Sequence, residues 1–417
     1  PRKSARAEAL QERGQRDMSV KFTKRTESMI PSGIRALNER TLAMERKGEK
    51  IYHFDVGRPD FDTPEFIKNA CIASLKSGDV FYTSSFGTDE LRKEIAGYLT
   101  IKKHIPTCYD EVLVTVGISE AVFISLSALL DAGDEILVPD PVWMNYINVP
   151  RFLGAVPVTY SMLEENGYQP DPDEIRQKVT DRTKAIVLIS PHNPTGSIAG
   201  RKVLEAIAEI AMDKDLAVIS DEVYDRIVYD GNEHVSIASI PGMKERTITL
   251  NGWSKAFSMT GWRIGYLSAP ADWVQMLNKI HQGDVTCAPS FVQKAAITVI
   301  REEKDEFEKM LKEYERRRNY AVAEINAIPG ISCIPPQGTF YLFLNIRKLG
   351  ISSGRFSDHL LQQEKVAIVP GDVFGTNGKG YMRMSFANNM ENIEEGIRRL
   401  KRAALSADLQ RQTCRRS

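Results

Sequence analysis

The chain has 417 residues, 42% hydrophobic and 26% charged, a composition ordinary for a globular protein and long enough to bury large cores in two domains. Lys plus Arg and Asp plus Glu each number 55, so the charge gives no reason to expect nucleic acid or a membrane surface as partner. No apolar run approaches the length of a membrane span, and the five cysteines (Cys71, Cys108, Cys287, Cys333, Cys414) lack metal-ligand spacing, which reads as reduced thiols in a cytoplasmic protein.

In chain order, residues 1–20 are polar and Arg-rich but include Glu8, Glu12 and Asp17, which a transit peptide would tend to avoid; they read as a solvated tail or a short extra helix. From 64 to 303, strands and helices alternate, with strands expected near Glu135–Val138, Val156–Tyr160, Lys184–Ser190, Leu216–Ser220 and Thr247–Leu250. That alternation implies an α/β domain with a mostly parallel sheet covered by helices on both faces. The charged stretch Glu302–Arg318 reads as a long exposed helix whose charges need only solvation and i,i+4 pairing. Beyond it, strands at Gly338–Leu344 and Tyr381–Phe386 and helices at Phe356–Lys365 and Met390–Ala403 suggest a smaller α+β domain, on which Lys24–Asp62 is expected to pack. The domain reading is therefore 64–303 for the large domain, 21–63 with 304–405 for the small one, and 406–417 as a tail.

Candidate chemistry clusters at predicted strand ends, where α/β folds place their sites. Asn251-Gly-Trp-Ser-Lys-Ala-Phe-Ser-Met-Thr-Gly-Trp-Arg263 is a Gly/Ser-rich turn between strands that carries Lys255 and Arg263. Desolvation of Lys255 by Trp253, Phe257 and Trp262 would lower its pKa and suit it to Schiff-base chemistry, while Arg263 offers a planar fork for a phosphate. Taken alone, such a lysine is most often a solvated surface charge. A second segment changes the weighing: the apolar run Leu216–Ser220 leads directly into Asp221-Glu-Val-Tyr224, and a carboxylate there is costly unless it meets a cation such as a protonated pyridine nitrogen. Leu113-Val-Thr-Val116 followed by Gly117-Ile-Ser119 reads as a turn feeding a helix over Glu120–Leu130, an anion site also compatible with Ser119 as an ordinary N-cap.

With these motifs in this order, the chain from about Met29 to about Leu400 resembles the fold-type I pyridoxal-phosphate aminotransferases of class I/II, the aspartate aminotransferase-like group. The resemblance implies a seven-stranded sheet in the large domain and pyridoxal 5'-phosphate as cofactor. It assigns Lys255 as Schiff-base lysine and general base, Asp221 as partner of the ring nitrogen, and Tyr224 and Asn193 (in Ser190-Pro-His-Asn-Pro-Thr-Gly196) as donors to the ring oxygen. Gly117, Ile118, Ser119 and Arg263 would hold the phosphate, Trp143 would stack on the ring, and Arg383 with Gly57 and Asn193 would take the substrate carboxylate. It further implies a homodimer with shared active sites, Tyr82 reaching the neighbouring subunit's phosphate. Two departures stand out: Arg58 where relatives commonly carry an acidic residue, and Gly252 where some carry a phosphate-binding serine.

The implied reaction is ping-pong transfer of an amino group between an L-amino acid and a 2-oxo acid. Other reactions on the same scaffold, β-elimination or oxidation, and a non-catalytic cofactor-binding regulator remain as alternatives. The six histidines are isolated from one another, which gives no support to a metal site, and His192 beside Asn193 reads as a turn-filling residue. Gln282–Ser290, where one subgroup of relatives carries an arginine for dicarboxylates, has neither Arg nor Lys, so a pocket for neutral or aromatic side chains is expected, with 2-oxoglutarate as acceptor by resemblance only.

Overall fold

Seven short runs rich in aliphatic and β-branched residues pair into one sheet in the computed structural model, which describes residues 22–302 and 305–414. The tail expected at 1–20 lies outside these residues. Across the sheet the order is Val112–Thr115, Gly265–Ser268, Thr247–Gly252, Ala217–Asp221, Thr183–Ile189, Glu135–Asp140 and Val156–Ser161. Only Gly265–Ser268 runs against its neighbours; the other adjacent pairs are parallel.

Alternation along the strands sorts side chains to two faces. Ala185, Val187, Ala217 and Ile219 join a core with the helices Ile118–Leu129 and Ala271–Asp284, whereas Ile186, Leu188 and Val218 join another with the helix Arg201–Asp213. That last helix presents Leu204, Ile207, Ala208 and Ala211, an i, i+3, i+4, i+7 stripe. Both faces are thus covered, as a parallel sheet requires.

A second, antiparallel sheet orders Val369–Pro370, Tyr381–Ser385 and Tyr341–Asn345. Tyr52–His53 pairs in parallel with Val366–Ala367 and joins the N-terminal segment to this part. Met382, Met384, Leu342 and Leu344 bury one side of these strands in a core shared with the helix Asp305–Asn326.

Two expectations need correction. The charged stretch beginning at Glu302 is not an exposed helix: within Asp305–Asn326, Phe307, Met310, Tyr314, Ala321 and Ile325 are buried at three- to seven-residue spacing, an apolar stripe that the charge run masks. Arg317 and Arg318 are buried too, paired with Asp60 and Glu313 and with Asp230 respectively, so those charges are structural. The C-terminal helix also runs from Met390 to Cys414, past residue 406 where a tail was expected.

Candidate active site

The strands ending at Asp140, Ile189, Asp221 and Gly252 deliver their following turns to one edge of the large sheet. There a cavity of about 250 Å³ is lined by Gly57, Ile118, Ser119, Trp143, Asn193, Asp221, Tyr224, Lys255, Arg263 and Arg383, together with Ile34, Ile189, Val223, Ser254, Thr260 and Tyr341. Ten residues singled out from widely separated motifs therefore meet. Gly117 is not among the lining residues but directly precedes Ile118, which is. Tyr82 does not line the cavity and is 87% exposed; Arg58 is exposed and also outside it.

Lys255 follows the strand Thr247–Gly252, and its Nζ donates to the Gly57 carbonyl at 2.7 Å. Burial, and then the positive charges of Arg383 and Arg263, lower its pKa to about 8, with Asp221 opposing. The rings closest to the amine differ from those expected. Tyr224 and Phe340 lie 5.8 and 5.9 Å away, whereas Trp253 packs on Tyr266, Phe257 on Phe307, and Trp262 donates to Thr63. A turn directs its side chains by backbone conformation, so adjacency in sequence did not mean adjacency to the amine.

Asp221 is buried at the end of its strand, with Oδ2 accepting from the Tyr146 hydroxyl at 2.9 Å and Oδ1 from the Val223 N–H at 3.2 Å. Burial raises its pKa to about 6, while Tyr146, Val223 and Lys255 pull it down. The Tyr224 hydroxyl lies 2.8 Å from that of Tyr341. Tyr341 also explains Gly57, since a Cβ there would sit 2.1 Å from the Tyr341 hydroxyl oxygen.

At the other end, Gly117 adopts φ 75° and caps the helix Ile118–Leu129 without a side-chain hydrogen bond. Ser119 is thus in the first helical turn and is not the N-cap, and that turn presents backbone N–H groups to an anion. Arg263, itself at φ 52°, donates to the Thr260 carbonyl, and its guanidinium lies where a Gly117 Cβ would come within 2.4 Å. Behind the turn Glu120 accepts from the Val116 N–H and pairs with His281. Gly252 is buried outside the cavity, where a Cβ would press on Gly265 at 2.9 Å, and Ser254 lines the wall instead.

Arg383 reaches across from the small sheet. Its Nη1 donates to Asn193 Oδ1 at 3.1 Å and its Nη2 to the Asp55 carbonyl at 2.8 Å, leaving Nε without a partner. The guanidinium packs on the rings of Tyr341 and Phe374, 4.4 and 4.8 Å from their centroids. His192 is buried beside Asn193 with Nδ1 2.8 Å from the Thr195 hydroxyl, and burial lowers its pKa to about 3. Tyr146, Tyr341, Phe340, Phe374 and Ile34 escaped sequence reading. Tyr341 and Phe340 stood in a predicted strand, and nothing local distinguished them from core aromatics.

The family described as aminotransferase class I and II matches residues 49–400. The chain belongs to that family. It is a transaminase. Among similar proteins are an aspartate aminotransferase of Pyrococcus abyssi, 40% identical over 91% of this chain and 97% of that protein, and aromatic-amino-acid aminotransferase 2 of Thermococcus litoralis, 39% identical over 91% and 97%. An alanine aminotransferase structure from Pyrococcus furiosus superposes with a TM-score of 0.88 at 37% identity, covering 93% of this chain and all of the other. Among the described residues of this transaminase no group of three His, Cys, Asp or Glu could hold a metal, and no helix is long and apolar enough to cross a membrane.

Proposed function

We propose that this transaminase binds pyridoxal 5'-phosphate at Lys255 and moves the amino group of an L-amino acid with a neutral or aromatic side chain to a 2-oxo acid. One observation carries the reading: a single cavity joins a lysine amine with a depressed pKa, a buried carboxylate and two arginines. The donor set fits the cofactor. Among the described residues Asp221 has no cation at hydrogen-bond distance, the N–H groups of the first helical turn after Gly117 with Ser119 and Arg263 suit a phosphate, and Trp143 supplies a ring face.

When bound, the cofactor supplies an aldehyde that takes up the amino group and a ring that accepts electrons from the substrate's Cα–H bond. Asp221 would hold a proton at the ring nitrogen, its orientation set by Tyr146 and the Val223 N–H. The Lys255 amine would take the Cα proton at Nζ and return it. Tyr224 and Asn193 would donate to the ring oxygen, and Arg383 would grip the α-carboxylate through its fork.

The side-chain preference follows from charge. Lys255, Arg263 and Arg383 are the cations lining the cavity among the described residues, and all have roles at the cofactor or the α-carboxylate. Within one chain that leaves no cation for a second substrate carboxylate, and Ile34, Ile189 and Val223 add apolar lining. The assembly we infer is a homodimer in which Tyr82 of one copy reaches the phosphate in the other, supported by the exposed run Val80-Phe81-Tyr82. A cytoplasmic location accords with four free thiols among the described residues.

Borohydride reduction followed by peptide mapping tests the cofactor assignment; label on a lysine other than Lys255 would overturn it. Measuring kcat/KM for aspartate, alanine, phenylalanine and leucine, each with 2-oxoglutarate and pyruvate, tests the substrate class. Strong aspartate preference lost in Arg58→Ala would replace the neutral pocket with one served by Arg58.

A further inference from the structure

Arg383 is clamped by two rings, and the two are held in different ways. Tyr341 belongs to the strand paired with that of Arg383. Phe374 belongs to no strand; it ends the short turn Gly371–Phe374, with its ring packed against Leu37, Ile51, Leu361, Ala367 and Val369 and its backbone continuing into residues anchored on the large sheet. That anchor is Asp140, the last residue of its strand in the large sheet and three residues before Trp143. The two Asp140 carboxylate oxygens accept from the backbone N–H groups of Thr376 and Asn377, each at 3.1 Å. The Asn377 side-chain amide donates back to the Asp140 carbonyl at 3.3 Å, and the Phe374 carbonyl accepts from the Val142 N–H at 2.7 Å.

Four hydrogen bonds thus tie residues 374–377 to residues 140–142, and Asp140 supplies the acceptor in three of them. The carboxylate is buried, so its bonds to two N–H groups are not exchanged freely for water. Gly375 closes the arrangement. It adopts φ 139°, and a Cβ there would lie 2.1 Å from Asp140 Oδ1. The small residue lets the carboxylate reach past it to the next two N–H groups.

We propose that Asp140 is a positioning residue for substrate: by fixing the Phe374–Asn377 turn, it sets the ring that clamps Arg383 and so the pose of the carboxylate-binding fork. This rests on the reading of Arg383 as the α-carboxylate ligand. Asp140 is not among the residues that line the cavity. Its effect should fall on the substrate's KM, with cofactor affinity and kcat largely unaffected, because Lys255, Asp221 and Arg263 are held by other contacts.

The experiment compares Asp140→Ala, Asp140→Asn and Gly375→Ala with Arg383→Lys in the holoenzyme. It reads KM and kcat for the amino acid, cofactor affinity by absorbance titration, and melting temperature. Asp140→Ala and Gly375→Ala, which disturb the same turn from opposite sides, should raise KM about 10-fold or more, with kcat and cofactor affinity changed less than about 3-fold. Asp140→Asn, which keeps one carbonyl acceptor, should fall between wild type and Asp140→Ala. If Asp140→Ala does not fold, Gly375→Ala and Asp140→Asn carry the test. If Arg383→Lys raises KM but the turn variants lower only the melting temperature, or lower kcat and KM effects do not separate, the positioning role is wrong. If Arg383→Lys itself leaves KM unchanged, the carboxylate reading fails instead.

Discussion

Asp221 and Lys255 each occupy an environment that penalises the charge they carry in ordinary solution. For Asp221, burial moves the pKa from 3.8 to about 6. The folded state therefore loses stability as pH rises through 3.8, and the loss is complete above about 6; two pKa units correspond to about 3 kcal/mol. Asp221→Asn should accordingly stabilise the cofactor-free protein at pH 7.5 by up to about 3 kcal/mol in urea denaturation, an advantage shrinking toward pH 4. The same variant should lose activity by about 100-fold or more at saturating cofactor, since a neutral amide cannot hold charge at the ring nitrogen. Lys255 shows the complementary case. With a pKa near 8 instead of 10.5, about one amine in ten is neutral at pH 7, against about one in three thousand for an ordinary lysine. The rate at which cofactor-free protein reacts with an aldehyde should rise to a plateau above pH 8. Replacing Arg383 by Leu removes a cation that lowers this pKa, so the midpoint of that profile should move to higher pH.

At the scale of elements, the anion site proposed at the start of the helix Ile118–Leu129 depends on Gly117, which lets the chain turn sharply beside Arg263. Gly117→Ala adds strain at φ 75° and displaces the guanidinium. Affinity for pyridoxal 5'-phosphate should fall at least about 10-fold in an absorbance titration, while that for pyridoxal, which has no phosphate, should change little. Equal losses for both would place the defect at the ring end. The helix Asp305–Asn326 shows how an element can mislead: its charges suggested solvent, yet Arg317 and Arg318 are buried in ion pairs and its apolar stripe completes the core under the small sheet. Composition averages over the faces of a helix, whereas burial is decided face by face.

For the whole molecule, the run Val80-Phe81-Tyr82 stands out, 56, 80 and 87% exposed, and Tyr82 does not line the cavity of its own chain. Adjacent exposed aromatics are unfavourable on a monomer, and the proposed second copy would cover them. Light scattering should give a dimer, and Phe81→Asp should shift it toward monomer with activity that falls on dilution. A fully active wild-type monomer at assay concentration would rule out the shared site.

Much of this protein was readable along the chain because short local patterns mark its elements. Propensity and periodicity over about ten residues place a lysine in a Gly/Ser turn between strands, an aspartate after an apolar strand and a glycine before a helix, whereas the roles expected of those residues came from the family resemblance of the motifs taken together. What tertiary structure alone decided is the set of partners that tune those groups. Tyr341 meets Tyr224 from 117 residues away, and Arg383 finds the Asp55 carbonyl across 328. The rings facing Lys255, the hydroxyl on Asp221 and the turn held by Asp140 likewise come from other segments. Local patterns encode which backbone conformation a segment prefers; which side chains then lie within a hydrogen bond of one another depends on how the sheets pack, a property of no single segment.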